Sequence, residues 1–216
     1  MKPIKVALWG DSIRQVGYGN IVPKLLGSAY EVWQPDENCR FAKYTLRLVF
    51  EEKEHYKDAD CIHWNCGLWD CTNLFFDDIF TPYEEYEANI LRIAKIFLSI
   101  TPHVIFATTT PVSPLNPFDS NEQIRSYNER IVPKLKALGV TIDDLFSVIY
   151  PHLDTDIRKD DLIHPTESGA KRLANQIAQC IEEEMRTIKP YPPHRGDLIQ
   201  DLSEGRPIDT RLEKLH

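Results

Sequence analysis

Short apolar runs alternate along this chain with longer stretches whose apolar residues recur every three or four positions. Residues 4–9, 30–34, 61–65 and 104–108 are compact apolar runs, and 140–142 is a shorter one. Runs of this length bounded by turn residues read as buried strands. Between them, residues 83–100 place Ile90, Ile93, Phe97 and Ile100 on one stripe, and residues 121–138 do the same with Ile124, Tyr127, Ile131, Leu135 and Leu138. Residues 42–53 and 170–186 carry weaker stripes of the same period. Pro133 interrupts the second long stripe and predicts a kink or break there. Strands alternating with helices specify an α/β fold, a three-layer α/β/α sandwich whose flavodoxin-like parallel sheet has about five strands.

The chain of 216 residues suffices for one substantial core. Residues 1–188 read as a catalytic domain. From Lys189 the composition changes, with Pro190, Pro192, Pro193 and Pro207 among charges, so 189–216 reads as a Pro-rich charged tail without a core of its own. The tail is expected to be disordered or to pack as an arm on the body or on a second subunit, and a homo-oligomer stays open. A net charge of −8 disfavours nucleic acid, which needs clustered Lys and Arg, and disfavours anionic lipid equally. No stretch approaches the roughly 20 apolar residues of a membrane helix, and the first residues do not read as a signal peptide. A cytoplasmic location is expected. The cysteines at 39, 61, 66, 71 and 180 are odd in number and fit reduced thiols. Cys61, Cys66 and Cys71 with His63 lie at the wide limit of zinc spacing without a second ligand pair, and no metal is expected.

In an open parallel sheet, ligands bind beyond the carboxyl ends of the strands. Three reactive stretches meet that condition: Gly10-Asp11-Ser12 after the first strand, Asn65 to Asp70 after the third, and Asp161-Leu162-Ile163-His164 near the last helix. Acyl transfer needs a hydroxyl, a base to take its proton and a carboxylate to fix the base. Ser12, His164 and Asp161 supply these groups. Donors for an oxyanion would come from the Ser12 N–H and from Asn65 or Asn38. Asp11-Ser12 as a helix cap is the bland alternative. Trp64, Trp69, Phe75 and Phe76 read as pocket lining or as core. Asp70 reads as a holder of its loop, Asp143-Asp144 as a helix cap, and His63 as a strand residue.

Gly10-Asp11-Ser12-Ile13 resembles the first block of the SGNH (GDSL-type) hydrolases. Asp161-x-x-His164-Pro165 resembles their last block, and the resemblance spans residues 4–185. It implies an esterase that uses no cofactor, with Ser12 as nucleophile, His164 as base and Asp161 as its carboxylate. The implied substrate is a small-molecule or carbohydrate ester, acetyl esters included. The middle blocks depart from the pattern. Trp69 stands where the family's third block, Gly67 here, is followed by an Asn, and the second block lacks its Gly. Asn65, or the backbone of Cys39 or Arg40, would then complete the oxyanion hole. The same triad serves acyl transfer to an acceptor other than water. A ligand-binding member of the fold without turnover is the reading from another class.

Overall fold

The computed structural model describes residues 2–200. Five strands, β1 (Ile4–Trp9), β2 (Tyr30–Trp33), β3 (Cys61–Asn65), β4 (Val104–Ala107) and β5 (Thr141–Asp143), form one parallel sheet in the order β2-β1-β3-β4-β5. The chain therefore winds outward from β1, first to β2 on one side and then back across to β3 on the other. Around the sheet lie α1 (Val22–Leu26), α2 (Ala42–Glu51), α3 (Lys53–Tyr56), α4 (Tyr83–Ile100), α5 (Asn121–Ala137), α6 (Leu145–Ile149), α7 (Leu153–Asp156), α8 (Glu167–Met185) and α9 (Asp197–Gln200).

Strand residues alternate between faces, and β3 shows what each face holds. Trp64 points toward α4 and packs against Phe97, with ring centroids 5.4 Å apart. Its neighbour His63 faces the other way, toward the Asp143 carboxylate, which also accepts from Gln176 of α8. Helices α2, α4 and α5 pack together on the first face, and α1, α6 and α8 on the second. The α4 face is built on an aromatic ladder. Trp9, Trp64 and Phe106 are register partners across β1, β3 and β4, and all three are fully buried. Tyr56 and Phe97 close over them, with centroids 5.0 Å from Trp9 and 5.4 Å from Trp64 respectively.

Several boundaries move by a few residues for identifiable reasons. Helix α8 begins at Glu167 rather than 170 because Thr166 caps it, its side chain accepting from the Gly169 N–H at 3.2 Å. Asp144 caps α6 by accepting from the Ser147 N–H at 3.2 Å. Helix α5 runs on through Pro133, so of the expected kink or break the break does not occur. The ring leaves the Glu129 carbonyl without its helical donor, but both residues line an open groove where water can reach that carbonyl. Residues 189–200 lie on the body. Arg195 donates to the Ile100 carbonyl at 2.8 Å, Lys189 pairs with Glu184 at 2.5 Å, and Ile199 is buried. The rest of the tail, 201–216, falls outside the described residues. Among the described residues no helix is long and apolar enough to cross a membrane.

Phe97 touches both Trp9 and Trp64, so Phe97→Ala should cost about 3–5 kcal/mol of stability. Urea unfolding would show this as a lower midpoint at unchanged slope.

Candidate active site

The nucleophile candidate sits where β1 ends. Gly10 must lack a side chain, since a Cβ there would lie 2.0 Å from the Asn65 Oδ1. The Asp11 carboxylate is buried and accepts the Ile13 N–H at 2.9 Å, which starts the helical turn that carries Ser12. The first N–H groups of a helix have no partner within it, and Ser12 stands at that position. A π-type turn follows over Arg14–Tyr18, closed by the Gly19 N–H on the Arg14 carbonyl at 2.8 Å. Turns of this kind are frequent at functional sites.

The base candidate sits in a loop tightly held by its own backbone. Leu162 adopts a left-handed conformation with φ 65°. The Arg158 N–H donates to the His164 carbonyl at 2.8 Å, and the Ser113 N–H to that of Leu162 at 2.9 Å. Asp161 Oδ1 accepts the N–H groups of Ile163 and His164 at 3.0 and 2.9 Å, and its Oδ2 faces His164 Nδ1 at 3.0 Å. Partial burial pushes the Asp161 carboxyl up. The N–H groups of His164 and Ile163 and the imidazole outweigh it and hold the carboxyl below its ordinary range. An ionised Asp161 places the imidazole proton on Nδ1. The lone pair of Nε2 is then available as a base, and this buried nitrogen has no hydrogen-bond partner.

Ser12 and His164 line one cavity of about 360 Å³, together with Asn38. Contact between the nucleophile turn and the histidine loop sets their approach. A Cβ on Gly17 would lie 2.7 Å from Pro165 Cγ, one residue beyond His164.

The remaining predicted donors are distributed differently. Asn38 is half-buried, and its Oδ1 accepts the Arg40 N–H at 2.8 Å, which leaves its amide N–H groups unspent on the cavity wall. Asn65 lies behind Ser12 instead. Its Oδ1 accepts from the Tyr18 hydroxyl at 2.5 Å, and its side chain partly offsets the burial that raises the Asp11 carboxyl. The Cys39 N–H is spent on the Gly10 carbonyl at 3.2 Å, and the Arg40 N–H on Asn38. The Arg40 guanidinium lies 4.7 Å over the Tyr44 ring. Gly67, at φ 140°, is buried against Thr109 and Tyr86 and is not part of the cavity wall.

Sequence reasoning missed Arg14. Its buried guanidinium donates to the Gly10 carbonyl at 3.2 Å, to Gln34 at 3.1 Å and to the Glu37 carbonyl at 2.8 Å. It thereby fastens the nucleophile turn to the loop that carries Asn38. The signal was a charged residue between Ile13 and Gln15 in the short turn that follows Ser12. Thr72, Leu74, Phe118 and Ile163 on the cavity wall had no such signal, because loops distant in sequence bring them together. Trp69 is also on the wall, whereas Trp64 is core. Asp70 accepts the Ala42 N–H at 2.9 Å at the start of α2, and burial lifts its carboxyl to about 6. Among the described residues no three His, Cys, Asp or Glu side chains converge as a metal site requires.

No family model and no curated protein matches this sequence. Solved structures do. An acetylxylan esterase from Geobacillus stearothermophilus matches with a TM-score of 0.66 at 18% identity, over 82% of this chain and 94% of that one. A hydrolase from the metagenome of Lake Arreo, Spain, gives 0.67 at 15% identity, over 83% and 95%. A GDSL-like lipase from Bacteroides thetaiotaomicron gives 0.61 at 18%, over 83% and 88%. The fold is that of these hydrolases. At such identities the likeness is one of architecture, and the chemistry must be argued from the residues of this chain.

Two predictions follow from the site's packing. Gly17→Ala should push Pro165, and His164 with it, away from Ser12. A misplacement of about 1 Å costs on the order of 100-fold, so kcat should fall by that order with little change in KM; an unchanged kcat would show that this contact does not set the geometry. The raised Asp70 carboxyl gives a pH signature. Between its ordinary value and about 6 the folded state holds a proton that the unfolded state has lost, so this group lowers stability as pH rises through that window. Asp70→Asn removes the effect. The variant should gain up to about 3 kcal/mol on the wild type between pH 4 and 7, read from paired urea titrations.

Proposed function

We propose that this chain is a carboxylic ester hydrolase of the SGNH type, working through a Ser12–His164–Asp161 triad and an acyl-enzyme. One observation carries the reading: Asp161 fixes the imidazole of His164, whose buried Nε2 is left without a hydrogen-bond partner, and His164 and Ser12 line the same cavity. The esterase neighbours support it. In the Geobacillus enzyme, substitutions of one serine and one aspartate are described as catalytic mutants.

Ser12 Oγ attacks the ester carbonyl while His164 Nε2 takes its proton, and Asp161 stabilises the imidazolium. The carbonyl oxygen becomes an oxyanion and is met by the Ser12 N–H at the helix start and by the Asn38 amide. Collapse of the tetrahedral intermediate breaks the bond to the alcohol, which leaves with the proton from His164. Water, deprotonated by the same Nε2, then attacks the acyl carbon and releases the acid and the Ser12 hydroxyl. The Ser12 proton leaves on the alcohol and a proton from water replaces it, so the enzyme returns to its starting state. In this scheme Asn38 takes the place of the side-chain donor that the sequence lacks at Trp69. Asn65 acts one layer behind, holding Asp11 and so the Ser12 turn.

Ser12→Ala should lower kcat for p-nitrophenyl butyrate by roughly a millionfold. A fluorophosphonate probe should modify a single peptide, the one containing Ser12. Retained hydrolysis in Ser12→Ala, or labelling elsewhere, would refute the proposal.

A further inference from the structure

The cavity beside Ser12 and His164 is far larger and more apolar than an acetyl group needs. Beyond the polar edge formed by Ser12, Asn38 and His164, its wall consists chiefly of Leu68, Trp69, Leu74, Phe118 and Ile163. Thr72 and Asp119 are the other polar members, and the lining holds no Lys or Arg. A volume of about 360 Å³ falls in the range that encloses whole organic ligands. A methyl group would leave most of that wall untouched. A sugar would have few partners for its hydroxyls, and a phosphorylated group would meet no cation.

A second observation concerns the mouth of the cavity. The segment from Trp69 to Phe80 exposes large apolar side chains to solvent: Trp69 is 37% exposed, Leu74 41%, Phe75 71%, Phe76 67% and Phe80 43%. Phe76 packs on Phe118 with centroids 5.1 Å apart, so this rim is continuous with the cavity wall. Val16, on the turn that carries Ser12, is 59% exposed as well. An apolar surface of this kind around a site marks what the site receives.

We infer that the ester taken by this site is uncharged and carries a bulky apolar group, aliphatic or aromatic, on one side of the ester bond, which fills the cavity between Leu68, Leu74, Phe118 and Ile163. The inference rests on the assignment of Ser12 as nucleophile and adds the substrate class to it. It sets this chain apart from its structural neighbours described as acetylxylan esterases.

Two series of esters share methyl acetate as their origin and test the inference by titration of the released acid. One lengthens the acid from acetate to octanoate as methyl esters, and the other lengthens the alcohol from methyl to octyl as acetates. Each buried methylene is worth about fourfold. In at least one series kcat/KM should therefore climb about fourfold per carbon until the cavity is full, and acetylated xylo-oligosaccharide should rank below the hexanoate or hexyl ester. The series that climbs tells which side of the ester the cavity holds. Leu74→Asp should flatten the climb. Methyl acetate best in both series, or the acetylated oligosaccharide best of all, would overturn this inference while leaving the hydrolase assignment standing. No turnover of any ester would overturn both.

Discussion

The site depends on a reversal in how the chain builds its sheet. β2 and β3 flank β1, so the connections leaving β1 and β3 diverge and leave a crevice at their carboxyl ends. Ser12 follows β1 directly, and Cys66 to Asp70 follow β3. The aromatic ladder of Trp9, Trp64 and Phe106 fixes these strands in register from one face. Whatever chemistry the loops perform is set by that rigid edge.

On this edge the loops are bound to one another. Arg14 and the Cys39 N–H join the Ser12 turn to the loop of Asn38. Gly17 against Pro165 joins it to the loop of His164. Tyr18, Asn65 and Asp11 form a buried polar layer beneath. Preorganisation of this kind is what a donor set needs if it is to meet developing charge without rearranging. Asn65 belongs to this layer: its Oδ1 is taken by the Tyr18 hydroxyl, and the residue is not among those lining the cavity.

The sheet was legible in the sequence because each strand is a short apolar run that stops at a turn residue, as Trp9 does at Gly10. Ser12, Asp161 and His164 were legible because each lies in a local pattern, and the Asp–His pair closes within three residues. The donors were harder to read. Every non-proline residue carries an N–H, and only the fold shows that the Cys39 N–H meets the Gly10 carbonyl while the Asn38 amide stays unspent. Whether Pro133 breaks its helix was not legible for a related reason, since the cost of its missing N–H depends on whether water reaches the Glu129 carbonyl. Apart from Trp69, the apolar cavity wall had no local signature. Leu68, Phe118 and Ile163 come from three separate loops, and their meeting is a property of topology.

The most direct measurement of the central claim is a crystal structure of the phosphonylated protein. The account places phosphorus on Ser12 Oγ, with His164 Nε2 within hydrogen-bond distance of that oxygen. The phosphonyl oxygen should face the Ser12 N–H and the Asn38 amide at about 2.7–3.1 Å. An adduct on another residue, or a phosphonyl oxygen held by groups other than these two, would contradict it.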